Sequence, residues 1–342
     1  MAGPREAMTR VSLGTWPTPV ERAPRLARAL GLDPETFWLK RDDLTGLGAG
    51  GNKVRKLEYL CADALGRGAE VLVTSGRTQS NHARITAAAA RRLGLRCVLV
   101  LGGEEEPTRQ GNLLLDALLG ARIVWAGPVG DAELDRRVEQ VAAELEARGS
   151  PSAVIPLGGS NPSGARGYVD CGLELEGQIP GLRHVVVALG TGGTMAGLVA
   201  ALGPERVLGI DVGATEDPAG RVVALLGGLG DPRERPVLRI RSDQVGPGYG
   251  VLTADASRAM SDAAELEGVL LDPVYTAKAL SGLRAAVADG DVHPGEPTVF
   301  VHTGGLPGLF GHELAAHPEW LGKTDPSAAT GGQGNRGHDR AD

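Results

Sequence analysis

The chain has 342 residues and a net charge of −7, from 35 lysines and arginines against 42 aspartates and glutamates. An acidic chain without a basic stripe excludes a nucleic-acid partner, because nothing in it would displace counterions from phosphates. No apolar run reaches the roughly 18 to 20 residues of a membrane span, so no membrane partner is expected.

The first half of the chain alternates short apolar runs with helical patterns. Strands are predicted at 70–75, 96–101, 122–126 and 152–157, and helices at 80–93, 112–120 and 131–148. Apolar strands separated by helices are typical of βαβ units, whose parallel sheet is covered on both faces.

A second series of the same kind follows. Strands are predicted at 184–189, 207–212, 237–241 and 298–302, and helices at 194–202, 222–228, 254–267 and 276–288. The two series predict an α/β fold of two open twisted parallel sheets, one in each domain, with a turn-rich hinge at 158–167 between them. Residues 322–342 carry almost no large apolar side chain and are predicted to be disordered.

The cellular compartment is inferred from the N-terminus and the cysteines. The first ten residues, MAGPREAMTR, lack the apolar stretch of a secretory signal. Cys61, Cys97 and Cys171 are spaced too widely for a disulfide framework or a zinc site. We therefore predict a cytoplasmic protein without a metal.

The first candidate site is the glycine-rich stretch before Asn52 and Lys53, within WLKRDDLTGLGAGGNKVRKLEYL. A helix is predicted to begin near Val54, and its positive end would lower the pKa of Lys53 and favour the nucleophilic amine. The alternative is a phosphate-binding or merely solvated lysine, and Lys56 and Lys40 compete for either role.

The second candidate site is TSGRTQSNHAR, residues 74–84, which joins a predicted strand to a predicted helix. Ser80 is suited to cap the helix, and Asn81 and His82 fall in its first turn. Backbone N–H groups there can bind a carboxylate, although an ordinary helix cap would give the same pattern.

The third candidate site is ALGTGGTMAG, residues 188–197, again between a strand and a helix. Glycine and threonine at such a turn offer backbone and hydroxyl donors to a phosphate. The glycine spacing is not that of a dinucleotide motif, so a small phosphate monoester fits better. A tight turn that needs glycine for packing remains the alternative.

Two further segments carry polar groups beside predicted turns. GPGYG and DPVYTAKAL place Tyr249 and Tyr275 just outside helices, where a phenol can relay a proton or simply pack. The strand VFVHTGG ends in His302 and Thr303, at the kind of edge where open α/β sheets bind ligands.

Together, in this order, these segments resemble the pyridoxal-phosphate enzymes of the tryptophan synthase β type. More narrowly, they resemble the family of D-cysteine desulfhydrases and 1-aminocyclopropane-1-carboxylate (ACC) deaminases. The resemblance covers residues 38–305 and implies pyridoxal 5'-phosphate as the cofactor, with Lys53 as its Schiff-base lysine.

The resemblance also implies the other site residues. Asn81 meets the ring hydroxyl of the cofactor, Ser80 and its neighbours meet the substrate carboxylate, and Tyr249 and Tyr275 flank the substrate as candidate proton donors. The implied cofactor-binding residues are Asn52, Lys53, Asn81, Gly190, Thr191, Gly192, Gly193, Thr194, Thr276 and Thr303. The implied substrate-binding residues are Ser80, Asn81, His82, Tyr249 and Tyr275.

Position 276 divides the two activities of this family. The ACC deaminases that the chain resembles carry Glu after the second tyrosine, where it can meet the pyridine nitrogen, whereas this chain has Thr276. A hydroxyl partner, Thr276 or Thr303, leaves that nitrogen nearly neutral and the ring a weaker electron sink. A weaker sink suits β-elimination, where the leaving group takes the electrons.

The sequence therefore predicts a lyase that converts D-cysteine to pyruvate, hydrogen sulfide and ammonia. Alternatives within the same chemistry are an ACC deaminase, an L-cysteate sulfo-lyase and a biosynthetic carbon–sulfur lyase on a larger substrate. Arg77 and Arg84 keep the sulfo-lyase open, because a sulfonate needs extra cationic donors. A non-catalytic small-ligand-binding module is the alternative from another class.

The resemblance further implies the domain organisation and the assembly. Residues 1–53 and 161–321 are predicted to form a large cofactor-binding domain, and 54–160 a small domain inserted into it. The partners expected are a small amino-acid substrate and a second copy of the chain in a homodimer.

Overall fold

The computed structural model of the protein describes residues 10–106, 109–233 and 236–316. The tail predicted to be disordered, 322–342, lies outside these residues. The strands are β1 (Val20–Arg22), β2 (Phe37–Lys40), β3 (Val71–Arg77), β4 (Arg96–Gly102), β5 (Arg122–Gly127), β6 (Ser152–Val154), β7 (His184–Leu189), β8 (Val207–Asp211), β9 (Arg239–Arg241) and β10 (Thr298–Val301). The helices are α1 (Pro24–Leu30), α2 (Lys53–Gly66), α3 (Asn81–Arg92), α4 (Gly111–Leu118), α5 (Asp131–Ala147), α6 (Pro162–Gln178), α7 (Gly193–Leu202), α8 (Pro218–Gly228), α9 (Ala254–Glu267), α10 (Thr276–Ala288) and α11 (Leu306–Leu309).

These strands form two sheets. The larger has six strands in the order β1-β2-β10-β7-β8-β9, and the smaller has four in the order β5-β4-β3-β6. All neighbours run parallel except β1 and β2, which pair antiparallel. The predicted α/β class with two parallel sheets is confirmed.

Helices cover both faces of each sheet. In the smaller sheet Val71 and Val73 pack towards α5, whereas Leu72 packs towards α2 and α3. In the larger sheet Val185 and Val187 face the layer of α6, α7 and α8, and Val186 faces the layer of α1, α9 and α10. Burial on both faces explains why these strands read as continuous apolar runs.

The predicted hinge at 158–167 is partly wrong, because α6 begins at Pro162. The Oδ1 of Asn161 accepts a hydrogen bond from Gly164 N at 2.8 Å, and a proline in the first turn completes the helix start. The predicted strand 152–157 likewise ends early, at Val154.

The residues of the smaller sheet are inserted, in sequence, between two groups of strands that form the larger sheet. Strands of the smaller sheet all lie between residues 71 and 154, whereas strands of the larger sheet lie at 20–40 and 184–301. Helix α2 packs on both α3 and α6, so the boundaries 1–53 plus 161–321 and 54–160 stay a prediction. Within the described ranges no helix is both long and apolar enough to cross a membrane.

Candidate active site

A cavity of about 370 Å³ opens between the two sheets. Its wall includes residues that follow the carboxyl ends of β3, β7, β8 and β10, which is where parallel sheets bind ligands. All the predicted site residues line it except Gly193 and Thr276. Those that do are Asn52, Lys53, Ser80, Asn81, His82, Gly190, Thr191, Gly192, Thr194, Tyr249, Tyr275 and Thr303.

A strained glycine loop delivers Lys53 to this cavity. Gly50 has φ of +69°, and a Cβ there would lie 1.9 Å from the carbonyl oxygen of Asp43, so only glycine fits. Gly51 N donates to Thr45 Oγ1 at 2.9 Å, and Asn52 N donates to the carbonyl of Thr303 at 3.0 Å. These contacts fix the backbone immediately before Lys53, the first residue of α2.

Burial, rather than the helix end, accounts for the chemistry of Lys53. Burial lowers the pKa of Lys53 to about 8, although a hydrogen bond with Lys56 acts in the opposite direction. The pKa of Lys56 is lowered well below its ordinary value, by burial and by the charge of Lys53. The two amines therefore disfavour being charged together, and Lys53 has an accessible uncharged form near neutral pH.

A buried ion network holds α2 from behind. The Arg55 guanidinium donates to Asp42 Oδ2 at 2.8 Å and to both carboxylate oxygens of Glu174, and Lys40 Nζ donates to Glu174 at 2.7 Å. Burial raises the pKa of Asp42, but the charge and hydrogen bonds of Arg55 outweigh it and hold that pKa below its ordinary value. Lys40 is thereby a structural cation, not a competitor of Lys53.

The turn before α7 gathers donors at one end of the cavity. Thr191 Oγ1 lies 2.6 Å from Ser160 Oγ, which receives a hydrogen bond from Lys56 Nζ at 3.0 Å. Asn52 Nδ2 donates to Thr194 Oγ1 at 3.1 Å. Gly193 lies behind the wall, where a Cβ would come within 2.8 Å of Lys56 Nζ.

The start of α3 forms another part of the wall. Ser80 Oγ accepts a hydrogen bond from Ala83 N at 3.1 Å, so Ser80 is the predicted N-cap. Asn81 Oδ1 accepts from Asn112 Nδ2 at 3.1 Å, which leaves the Asn81 amide N–H groups to donate to a ligand. Backbone N–H groups of this first turn can bind a carboxylate.

His82 is buried in the same wall. Its Nε2 lies 2.9 Å from Thr74 Oγ1, and its pKa is lowered well below the ordinary value by burial and by the charges of Lys53 and Lys56. His82 is therefore a neutral side chain at physiological pH.

Tyr249 and Tyr275 form a pair across the cavity. Their phenol oxygens are hydrogen-bonded, and their rings meet edge-on with centroids 6.0 Å apart. Burial raises the pKa of both phenols, so each keeps its proton at neutral pH and can donate it. Asp272 fixes the backbone here, because its Oδ2 accepts from Val274 N and Tyr275 N.

Thr276 does not line the described cavity, which argues against its predicted role as a ring-nitrogen partner. Its side chain is fully buried, and its Oγ1 donates to Asp272 Oδ1 at 2.7 Å. Thr276 is the first residue of α10, and its backbone N also donates to Asp272 Oδ1 at 2.8 Å, so the turn before the helix brings Thr276 against Asp272. Thr303 lines the wall and is the hydroxyl that remains for that role.

The two arginines suggested for a sulfonate are already engaged. Arg84 is fully buried, donates from Nε to Asn112 Oδ1 at 2.6 Å and donates to the carbonyls of Gly48 and Gly50. Arg77 donates to Asp131 Oδ1 at 2.9 Å.

Several residues of the site escaped sequence reasoning as functional groups. They are Ser160, Asp272, Gln79 and His312, with Lys56 considered only as a competitor. The spacing of Lys53 and Lys56, one helical turn apart, was the available signal for Lys56. The others reach the site from distant segments that no local pattern connects.

The polar groups of the cavity wall match the groups that pyridoxal phosphate presents. One end has hydroxyls and the N-terminus of α7 for a phosphate, with the Lys56 amine beside them, and Lys53 supplies an amine for the carbonyl carbon. Asn81 supplies amide N–H groups for a ring oxygen, and Thr303 a hydroxyl for a ring nitrogen.

Comparison with known proteins decides the family. The family model described as "Pyridoxal-phosphate dependent enzyme" matches residues 11–304. The chain belongs to this family. Membership identifies it as a pyridoxal-phosphate-dependent enzyme rather than a non-catalytic binding module, and the match spans both sheets.

Within this family, the chain is similar to proteins named for two activities, ACC deaminase and D-cysteine desulfhydrase. A putative ACC deaminase from Pyrococcus abyssi is 44% identical over 88% of this chain and 93% of its own. A D-cysteine desulfhydrase from Klebsiella pneumoniae is 40% identical over 90% of this chain and 96% of its own. The solved structure of an ACC deaminase homologue has a TM-score of 0.84 at 38% identity and covers 92% of this chain and 97% of its own.

Proposed function

We propose that the protein is a D-cysteine desulfhydrase, which converts D-cysteine and water to pyruvate, hydrogen sulfide and ammonia. The observation that carries the proposal is that no carboxylate of the described wall is free to pair with a cofactor ring nitrogen. Asp131 is paired with Arg77, and Asp272 accepts four hydrogen bonds from residues 274–276. Without such a carboxylate the ring nitrogen stays nearly neutral, which favours elimination of a good leaving group.

Lys53 is the base of the proposed reaction. Bound pyridoxal phosphate supplies the electron sink that weakens the Cα–H bond. Lys53 removes the Cα proton, because burial leaves its amine partly uncharged near neutral pH. The first turn of α3, with Ser80 and Asn81, binds the substrate carboxylate and fixes Cα beside this amine.

The tyrosine pair protonates the departing sulfur. Tyr249 and Tyr275 share one hydrogen bond and both phenols hold their protons at neutral pH. One phenol donates to the sulfur as the Cβ–S bond breaks, so sulfide leaves in a protonated form.

ACC deaminase is the second candidate. It is favoured by the two relatives named for ACC deaminase, and opposed by Thr276, which replaces the glutamate of the deaminases and turns away from the cavity. An L-cysteate sulfo-lyase is less supported, since Arg77 and Arg84 are already paired.

The experiment that tests the proposal is 2-oxo-acid release by the holoenzyme. D-cysteine, L-cysteine, L-cysteate, β-chloroalanine and ACC are compared at equal concentration, with Lys53→Ala as the matched inactive control. We expect D-cysteine to give the highest kcat/KM, with equal amounts of pyruvate and sulfide. Preference for ACC would replace the proposal by the deaminase, and activity on none would favour a larger carbon–sulfur substrate.

We also propose that the protein works as a cytoplasmic homodimer. Its three cysteines are buried and free, which suits a reducing compartment. Light scattering tests the assembly, since a dimer has twice the chain mass of 35.3 kDa.

A further inference from the structure

The loop that carries Tyr249 has little structure of its own. It spans residues 245–250, and three of its glycines, Gly246, Gly248 and Gly250, adopt positive φ. The backbone hydrogen bond that closes the loop around Tyr249, from Val251 N to Gly248 O, is long at 3.4 Å, and Tyr249 is 44% exposed. The position of the Tyr249 phenol must therefore be set by groups outside the loop.

Lys278 holds the first half of this loop. From α10, its Nζ donates to the carbonyls of Val245 at 2.8 Å and Gly248 at 2.9 Å. The Lys278 side chain is fully buried. This clamp ends one residue before Tyr249, so the second half needs another partner.

His312 holds the second half. Its Nδ1 accepts a hydrogen bond from Leu314 N at 3.1 Å, so the ring proton of the neutral imidazole resides on Nε2. Nε2 lies 3.1 Å from the carbonyl of Gly250 and donates to it. In this tautomer His312 connects residues 308–314, here called the C-terminal segment, to Gly250, the residue that follows Tyr249.

The same C-terminal segment also contacts the other side of the cavity. Gly308, Gly311 and His312 line the wall, and a Cβ on Gly311 would lie 2.1 Å from Gln79 Oε1. Gln79 Oε1 in turn accepts from Asn112 N at 2.9 Å. The segment is therefore seated between the start of α3 and the Tyr249 loop.

We propose that His312 is a positioning residue. By holding Gly250, it keeps the Tyr249 phenol within hydrogen-bond distance of the Tyr275 phenol. The inference rests on the proposed function in assigning proton transfer to the tyrosine pair. It adds that the C-terminal segment sets the geometry of that transfer, although it supplies no reacting group.

Kinetics of three variants test this role. His312→Leu removes the donor and is expected to lower kcat for D-cysteine about tenfold or more with little change in KM, because a misplaced proton donor affects the chemical step. His312→Gln restores a donor to Gly250 and should recover kcat to within about threefold. The exposed His293 provides the control His293→Leu, for which wild-type kcat is expected.

A double-mutant cycle identifies the residue through which His312 acts. In a Tyr249→Phe background, His312→Leu should lower kcat less than about twofold, since the phenol it positions is already absent. A tenfold loss in both backgrounds would overturn the proposal, as would wild-type kcat for His312→Leu or for Tyr249→Phe alone.

Hydrogen exchange tests the contact without any turnover. The Val251 amide should exchange about tenfold faster in His312→Leu than in wild type or His312→Gln, while the free energy of unfolding in urea stays unchanged. Equal exchange in all three proteins would refute the clamp. If the wild type proves inactive on D-cysteine, the proposed function fails and this measurement alone decides whether His312 fixes the loop.

Discussion

Lys53 is an amine whose charge state changes close to physiological pH. Burial lowers its pKa to about 8 in the cofactor-free protein, and only the uncharged amine attacks a carbonyl. We expect the rate of pyridoxal phosphate uptake by the apo-protein to rise with pH up to about 8 and to level off above about 9. Absorbance at the visible edge follows the uptake.

The control for this pH dependence is Lys53→Arg, which keeps a cation but has no titratable amine. It should form no imine with the cofactor and therefore show no imine absorbance at any pH. A rate of uptake that is flat between about pH 6.5 and 8.5 would contradict the assigned pKa.

Two threonines provide a matched test of the ring-nitrogen partner. Thr276→Val removes a buried hydrogen bond to Asp272 and should lower the free energy of unfolding by about 1–3 kcal/mol without shifting the visible band of the cofactor. Thr303→Val should shift that band, because Thr303 lines the cavity. The measurements are urea unfolding and absorption spectra, and a larger band shift in Thr276→Val would reverse the assignment.

Adjacency along the chain explains why the sequence misplaced Thr276. It follows Tyr275 directly, and the matching position carries glutamate in the ACC deaminases that the chain resembles. Tyr275 lies just before α10 and Thr276 is its first residue, held by two hydrogen bonds to Asp272 Oδ1, so the two neighbours point to different surroundings. Lys53 and Ser80 could be singled out because each stands at the start of a helix with a distinctive local pattern, and Tyr249 because it lies among the glycines of a turn.

At the level of elements, helices α6 and α7 pack closely at Gly197 of α7. A Cβ on Gly197 would lie 2.3 Å from the carbonyl oxygen of Ala165 and 2.5 Å from Tyr168 Cβ, both in α6. Gly197→Ala should therefore lower the free energy of unfolding by about 1–3 kcal/mol through overpacking. It should also weaken cofactor binding, because α7 begins at the turn that gathers the phosphate donors.

Gly177 is the matched control within α6. It is exposed, and a Cβ added there would meet no other atom within 4 Å. Gly177→Ala should raise the free energy of unfolding by up to about 0.5 kcal/mol through helix propensity. Urea unfolding of both variants checks the pair, and equal effects would mean that the α6–α7 contact is looser than described.

The alternation of strands and helices was predictable for the same reason that these elements form. Val71, Val73 and Val185 belong to strands buried on both faces, which leaves a continuous apolar run in the sequence. The glycines at the start of α6 suggest a turn, which is why the sequence predicts a hinge over residues that begin this helix. The contact of His312 with Gly250 joins positions 62 residues apart. A periodic pattern in the sequence predicts helices and strands but not a contact between two such distant residues.

At the scale of the whole molecule, the cavity wall draws on both sheets. Ser80 and Asn81 follow β3 of the smaller sheet, whereas Thr191 and Tyr275 belong to the unit around the larger one. A ligand between them stabilises both. At 1,000 times its Kd, pyridoxal phosphate should add about 4 kcal/mol to the free energy of unfolding.

Removal of the cofactor tests this coupling. Dialysis against hydroxylamine should lower Tm in a single transition, and added pyridoxal phosphate should restore it in a concentration-dependent way. Calorimetry checks the result. Identical Tm values for the two forms would mean that the cofactor does not bridge the sheets.

The order of strands in the larger sheet also governs how the chain can be synthesised. Strand β10, the last in sequence among the described residues, lies between β2 and β7 in the interior of that sheet. The strands of the smaller sheet all lie within residues 71–154, so this sheet can form before the rest of the chain has been synthesised. Until residue 301 has emerged, β2 and β7 present unpaired edges, which are templates for aggregation. We therefore expect these two edges to stay open to wrong pairing until late in translation, when β10 can fill the space between them.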